Sequence, residues 1–279
     1  MTPAILLPVY NAASALSRCL AALDRTLPSG YPVFLSDDAS PDPAVAQLLD
    51  DWTRRTVLSV TLQRQPVNLG FVGNVNDAMQ RLGSIDVILL NSDTCPVPGW
   101  IDGFRRCLDA DPRIATATPW SNNAEICSFP QLCQAAPMPG PEALVALGAA
   151  AATLVDEPPP ELPTGVGFAM AVRGQAWREL GGFDVETFGR GYGEENDFCL
   201  RAAAHGWRNV LCPGAYVAHQ GHASFADTGH APGGENLRRL LARYPDYNER
   251  VAAFICRDPL RELRERFSER LAAVSGTLP

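Results

Sequence analysis

The chain has 279 residues, 46% hydrophobic and 19% charged, which is enough apolar material for one good-sized α/β core and too much for a disordered chain. Its 23 basic side chains face 31 acidic ones, a net charge of -8, so a broad basic face for a phosphate backbone is excluded and no nucleic acid partner is expected. Every basic residue is Arg; without a single Lys, Schiff-base chemistry, a Lys nucleophile and the phosphate loop ending in Gly-Lys-Ser/Thr are ruled out.

In chain order, Ala4 to Val9 reads as a buried strand. It starts so early that no signal peptide fits ahead of it, and a cytoplasmic protein is expected. After Asn11 a helix is predicted from about Ser14 to Leu23, with Leu16, Leu20 and Leu23 on one stripe. Val33 to Ser36 is a second strand, closed by Asp37-Asp38-Ala39-Ser40 and followed by a helix to about Trp52; Val57 to Leu62 is a third. The glycine-bearing loop Asn68 to Asn74 opens a helix through Val75, Met79 and Leu82. Asp86 to Leu90 is a fourth strand that stops at Asn91-Ser92-Asp93-Thr94, Trp100 to Leu108 a helix, and Ile114 to Thr118 a strand. This alternation predicts a mostly parallel α/β sheet flanked by helices.

The second half changes character. Met138 to Pro163 is rich in Pro and Ala and predicts a surface loop or lid, although Ala143 to Val155 within it reads as a packed helix, too short for the roughly 20 residues a bilayer needs. Val166 to Arg173 resumes as a strand, Gln175 to Leu180 as a short helix and Glu194 to His205 as a helix. Asn209 to Leu211 and Ala215 to Ala218 are short strands, and helices from about Glu235 to Arg243 and Pro259 to Val274 close the chain. On the last of these, Leu260, Leu263, Phe267 and Leu271 form an apolar stripe among Arg261, Arg264, Arg266 and Arg270. Docking on the body, a peripheral hold on the inner face of an anionic membrane, or a dimer contact are the uses it allows. The eight cysteines show neither C-x-x-C nor zinc spacing and are expected as reduced, small hydrophobes.

In open sheets of this type ligands sit beyond the carboxyl ends of the strands. Three such ends carry polar clusters: Tyr10-Asn11, Asp37-Asp38 and Asn91-Ser92-Asp93. A fixed Asp after a hydrophobic strand, together with phosphate oxygens, can hold Mg²⁺ or Mn²⁺, while Asn, Ser and Asp also simply end strands in turns. Glu194, Glu195 and Asp197 crowd one helix start. One or two acids there complement the helix dipole, and Asp197 can pair with Arg201. Helical geometry puts Glu194 and Asp197 on one face and Glu195 about 100° away, free to act as a general base whose pKa like charges raise. His219 and His222 end a strand near Gly221 and offer a nitrogen to a cation held by Asp93, which manganese tolerates better than magnesium. Asp37-Asp38 could accept from the imide N–H of uracil or thymine, and the Asn68 to Asn74 loop could present backbone N–H groups to phosphate.

Taken together, Pro8-Val9-Tyr10-Asn11, Asp37-Asp38-Ala39-Ser40, Asn68-Leu69-Gly70-Phe71, Leu90-Asn91-Ser92-Asp93-Thr94, Gly191-Tyr192-Gly193-Glu194-Glu195-Asn196-Asp197-Phe198-x-x-Arg201, Gly206-Trp207-Arg208 and Val217-Ala218-His219 resemble the family 2 glycosyltransferases of GT-A fold, over about residues 4 to 225. The resemblance implies a Rossmann-like, mixed but mostly parallel sheet and inverting transfer of a sugar from a nucleoside diphosphate donor, most simply a UDP- or dTDP-sugar, to a glycan, lipid-linked or protein acceptor. It implies a domain over 1–232, with a nucleotide-binding half (1–118) and an acceptor half (119–232), and a helical extension over 233–279. Pro8, Tyr10, Asn11, Asp37, Asp38, Asn68, Gly70, Asn74, Asn91 and Ser92 would then bind the donor. Asp93 and His219 would hold a divalent cation, Mn²⁺ ahead of Mg²⁺, with His222 the less favoured ligand. Glu195 would be the base, with Glu194 the alternative. Trp120, Asn122, Gly165, Gly167 and Asp197 fall on the acceptor or sugar side. Asn91 stands where the family's Asp-x-Asp has its first Asp, and Glu195 where Asp is common. Two other readings compete: a sugar-nucleotide pyrophosphorylase, which needs a basic Gly-rich loop that Pro8 to Ser14 lacks, and a nucleotide-sugar binding module without chemistry.

Overall fold

Six consecutive apolar residues, Ala4–Val9 (β1), are buried throughout because β1 lies inside the sheet and is covered on both faces. The computed structural model describes residues 2–189, 191–221 and 234–276. After β1 come α1 (Ala13–Thr26), β2 (Pro32–Asp37), α2 (Pro43–Arg55), β3 (Ser59–Arg64), α3 (Gly70–Leu82), β4 (Val87–Leu90), β5 (Thr94–Pro96), α4 (Trp100–Ala110) and β6 (Ile114–Trp120). A single 3₁₀ turn (Glu125–Cys127) precedes α5 (Pro141–Ala152), β7 (Ala169–Val172), α6 (Gly174–Leu180), α7 (Val185–Phe188), α8 (Glu194–Ala204) and β8 (Arg208–His219). The chain closes with α9 (Glu235–Arg243), α10 (Tyr247–Arg257) and α11 (Arg261–Ser275).

The sheet runs in the order β3-β2-β1-β4-β7-β6-β8-β5. Strands β3, β2, β1 and β4 are parallel, β7 runs antiparallel between β4 and β6, and β8 is parallel to β6. The sheet is thus mixed and mostly parallel, with the expected helices on its faces. Local signals set the boundaries. At α2, Asp42 accepts the Ala44 N–H at 2.9 Å and Pro43 follows at the first helical position, a cap and a preset φ in succession.

Three expectations change. The Met138 to Pro163 stretch is not a lid: α5 forms within it and packs against β8 and α11, burying Leu147, Ala150 and Ala151 in the main core. The packed helix expected over Ala143 to Val155 is present as α5, and only the surface loop or lid around it is overturned. The two short strands near residue 210 are one strand, β8, which passes through Pro213-Gly214 unbroken. Glycine is required there, since a Cβ on Gly214 would lie 2.7 Å from Val155 Cα, and one on the facing Gly103 of α4 would lie 2.4 Å from the Gly214 carbonyl oxygen. Finally, β5, α7 and α10 are additional; β5 has only three residues and α7 four, too short to show a period.

The apolar stripe of α11 docks on the body. Leu260, Leu263 and Phe267 are buried, and the Phe267 ring stacks on Phe129 at 4.1 Å. Arg264, from the same helix, is buried too and is held by both oxygens of Asp258. All eight cysteines are free thiols, six of them buried. Among the described residues, no helix is long and apolar enough to cross a membrane.

Candidate active site

The donor-side residues form a tightly stitched crevice. Asn11 and Ala12 both take left-handed backbone (φ 54° and 55°), turning the chain sharply out of β1. The Asn11 N–H donates to Ser40 Oγ at 3.0 Å, joining the ends of β1 and β2. Asp37, 4% exposed, accepts the Ser40 N–H at 3.1 Å and has Arg64 at 3.9 Å. Asp38 accepts the Leu69 N–H at 2.7 Å, and the Asn68 side chain donates to the Asp38 carbonyl while accepting from Gly70 N–H. Two residues expected to touch donor lie behind this wall instead. Asn74 is buried, its amide spent on Ser36 and Gln65, because the inner face of α3 turns it toward β2. Pro8 is buried within β1, whereas Tyr10 at the strand end is half-exposed.

At the next strand end the backbone of Asn91 is fixed by its N–H to Phe168 O at 2.8 Å and by Thr94, whose hydroxyl donates to the Asn91 carbonyl. Ser92 and Asp93 are buried. Antiparallel pairing of Thr94 with His219 then carries Asp93 up to the histidine, with Oδ1 3.6 Å from Nε2. The other ring nitrogen, Nδ1, lies 2.8 Å from the Asn123 carbonyl. A carbonyl only accepts, so Nδ1 carries the hydrogen and Nε2 turns its lone pair toward the carboxylate. Two lone pairs facing across that gap require a positive particle between them. A proton is one answer: burial opposes the charged ring, but the hydrogen bond and charge of Asp93 outweigh it and lift His219 above its ordinary pKa. A divalent cation is the other, and the donor set of one carboxylate and one imidazole fits it. Among the described residues no third His, Cys, Asp or Glu joins them, so the rest of a shell would come from phosphate or water. His222 lies outside the described residues. The Phe168 ring, stacked on His219 at 5.0 Å, holds the imidazole in plane.

The acids of α8 stand across the cleft. Gly191, Tyr192 and Gly193 all have positive φ (119°, 69° and 115°), a coiled entry that turns the helix start inward. Glu194 is 5% exposed; burial first, then the charge of Glu195, pushes its carboxyl well above the ordinary range. Glu195 is half-buried and also raised, by burial first, while hydrogen bonds from Gly193 N–H and Glu194 favour its charged form. Both carboxyls are raised, Glu194 the more strongly, and one Glu194 oxygen is buried without a hydrogen-bond partner among the described residues. Tyr192 connects the two centres: burial and the charges of Glu194, Glu195 and Asp93 together hold its phenol above the usual range. Gly167, next to Phe168, faces Glu195 so closely that a Cβ there would sit 3.5 Å from Glu195 Cγ.

Four acceptor-side expectations resolve differently. Trp120 is fully buried, its indole turned into the core against Phe129 and Phe267. Asp197 is fully buried and saturated by Arg201 at 2.8 Å, Arg243 at 2.6 Å and the Tyr244 hydroxyl at 3.0 Å. Gly165 packs on Met170 and donates its N–H to Cys199 Sγ, away from the cleft. Asn122 is 2% exposed and spends its amide on the backbone of His219 and Ala136. The sequence assigned no individual role to Phe168, Asn123 or Tyr192, although each lies in a stretch it placed near the site. Of these only Tyr192, framed by glycines beside the acids, carried a signal of its own.

Residues 4–130 match the family model described as Glycosyl transferase family 2. This segment belongs to that family. The matched segment holds the ends of β1, β2 and β4 and Asp93; Glu194, Glu195 and His219 come from the chain beyond it. Among curated protein sequences none matches the chain. Among solved structures, GalNAc-T7 with UDP, GalNAc and Mn²⁺ superposes with a TM-score of 0.65 at 15% identity, covering 97% of this chain and 54% of that one. The mannosyltransferase PcManGT from Pyrobaculum calidifontis with GDP-Man and Mn²⁺ gives 0.56 at 17% identity, covering 100% and 76%. S. aureus TarS 1-349 with UDP-GlcNAc gives 0.57 at 13% identity, covering 100% and 82%. These likenesses show a shared fold, and the chain spans about half the length of GalNAc-T7.

Proposed function

We propose that the protein is an inverting glycosyltransferase that moves a sugar from a nucleoside diphosphate, a UDP- or dTDP-sugar, to a hydroxyl of a glycan, lipid-linked or protein acceptor. The observation that carries this reading is the meeting, at 3.6 Å, of the Asp93 carboxylate, which ends a strand of the family 2 segment, with the His219 imidazole, while Phe168 stacks on that ring and its neighbour Gly167 faces Glu195. Glu195 is the base: it is the more exposed of the two acids, whereas Glu194 is buried and the more strongly raised. Its carboxylate takes the proton of the acceptor hydroxyl as that oxygen attacks the anomeric carbon from the face opposite the diphosphate. Asp93 and His219 would hold the cation; when bound, it supplies positive charge to the leaving diphosphate. Manganese suits an imidazole ligand better than magnesium, and the relatives solved with Mn²⁺ support that choice.

The competing readings fit less well. A pyrophosphorylase needs basic groups over a triphosphate at the first strand end, and the Tyr10–Ala12 turn offers none. A binding module has no use for a base raised toward neutral pH. Two variants test the assignment. Glu195→Gln is expected to bind donor as the wild type does while turnover falls on the order of 10²- to 10⁴-fold. Asp93→Ala is expected to lose the Mn²⁺-dependent part of nucleotide binding in calorimetry. Wild-type turnover in Glu195→Gln would refute the base, and release of no nucleoside diphosphate from any donor with Mn²⁺ would leave the binding module standing.

A further inference from the structure

Strand β6 ends at Trp120, whose partner on β8 is Tyr216, so among the described residues no strand lies beside the last three residues of β8 on that edge. On the opposite edge they pair with β5, where the Gln220 N–H reaches the Asp93 carbonyl at 3.0 Å. Neighbouring residues of a strand turn their N–H and C=O to alternate edges, so both backbone groups of His219 face the empty side. One side chain fills it. Asn122 Oδ1 accepts the His219 N–H at 2.9 Å and Asn122 Nδ2 donates to the His219 carbonyl at 3.0 Å, the two bonds an adjoining strand would make. The second Nδ2 hydrogen goes to Ala136 O at 2.9 Å, and the Asn122 carbonyl accepts the Ala136 N–H at 2.8 Å. One residue on, the Asn123 carbonyl takes the Nδ1 hydrogen of His219. Room for Asn123 depends on Gly221, where a Cβ would fall 2.4 Å from Asn123 Nδ2.

We propose that Asn122 is a positioning residue, a one-side-chain substitute for a strand that fixes the His219 backbone so that the Asn123 carbonyl can hold the ring with Nε2 aimed at Asp93. An amide alone meets the requirement. A carboxylate keeps the acceptor but loses both donors, and Gln overshoots by a methylene. The inference rests on the reading of Asp93 and His219 as cation ligands, and it makes the 121–136 loop the element that sets how well they bind. Outer partners of this kind affect metal affinity by about 10- to 100-fold.

The test compares the wild type with Asn122→Ala and Asn122→Asp, and with Leu49→Ala as a destabilised control in the core remote from the cleft. Nitrogen-15 spectra of the histidine rings, assigned with His219→Ala, report the tautomer without any metal. The wild type and Leu49→Ala are expected to show one Nδ1–H tautomer at a pH where the ring is neutral; both Asn122 variants are expected to show an averaged ring. Mn²⁺ titrated in the presence of UDP, dTDP or GDP is expected to bind the Asn122 variants 10- to 100-fold more weakly and Leu49→Ala unchanged. A single tautomer and wild-type Mn²⁺ affinity in the Asn122 variants would overturn the proposal. Should the wild type bind no Mn²⁺ with any of the three nucleotides, the cation reading fails by itself and the ring spectra still decide the role of Asn122.

Discussion

A glutamate that works as a base must be ionised when the acceptor arrives, yet basic enough to pull a hydroxyl proton. Burial of Glu195 raises its affinity for a proton, and the hydrogen bond from Glu194 keeps that rise in check. The sign follows directly: turnover depends on the charged form, so activity falls as pH drops through a raised pKa. The acid limb of kcat/KM is therefore expected above the pH at which an ordinary glutamate titrates, and the pair titrates as a unit. Glu194→Gln keeps an N–H to give Glu195 and should leave the limb near its wild-type place; Glu194→Leu removes the donor and should move it to higher pH. A pH–rate profile of the three proteins checks this, and a limb at the usual glutamate position in the wild type would contradict it. At this scale the placement of Asp93, His219 and Glu195 was legible, because each sits where a strand or helix ends, and ends point into crevices. Trp120, Asp197 and Asn74 could not, because sequence gives the residue type at a site while packing decides which way its side chain turns.

The C-terminal helices α9 and α10 brace the start of α8. Arg243 of α9 donates to Asp197 on α8 and to Asp184 at the cap of α7, and Asn236 of the same helix donates to the carbonyls of Phe188 and Gly191. From α10, the Tyr247 hydroxyl reaches Asn196 at 3.2 Å. The bonds to Gly191, Asn196 and Asp197 land on the coiled entry to α8 or on its first turn, where Glu194 and Glu195 stand, and those to Asp184 and Phe188 hold α7 just ahead of it. Arg243→Ala removes one partner of a fully buried carboxylate and is expected to cost about 1–3 kcal/mol in denaturant unfolding. It should also lower kcat more than it weakens donor binding. Unchanged kcat with reduced stability would make the brace a matter of folding alone. The extension was legible as helices, since α9 matches its predicted span and α11 its stripe. Its attachment to α8 was not, because the pairs that make it, such as Arg243 with Asp197, lie 46 residues apart and no local period records them. The same limit hid β5, whose three residues mean nothing until β8 pairs with them.

Across the whole molecule, the parallel half of the sheet supplies the proposed donor side and Asp93, while β7, α8 and β8 bring Phe168, the acid pair and His219 to its edge. The order of strands and helices followed from alternating periods in the sequence, and the junction between the halves needed the long-range pairing of β5 with β8. The central claim is that this junction closes on a divalent cation. Crystals grown with Mn²⁺ and UDP, measured at a wavelength where manganese scatters anomalously, test it most directly. The account predicts an anomalous peak within roughly 2.0–2.6 Å of both Asp93 Oδ1 and His219 Nε2, the ligand distances such ions adopt. Manganese bound to the nucleotide but away from that pair, with Asp93 and His219 still facing each other across an empty gap, would contradict it.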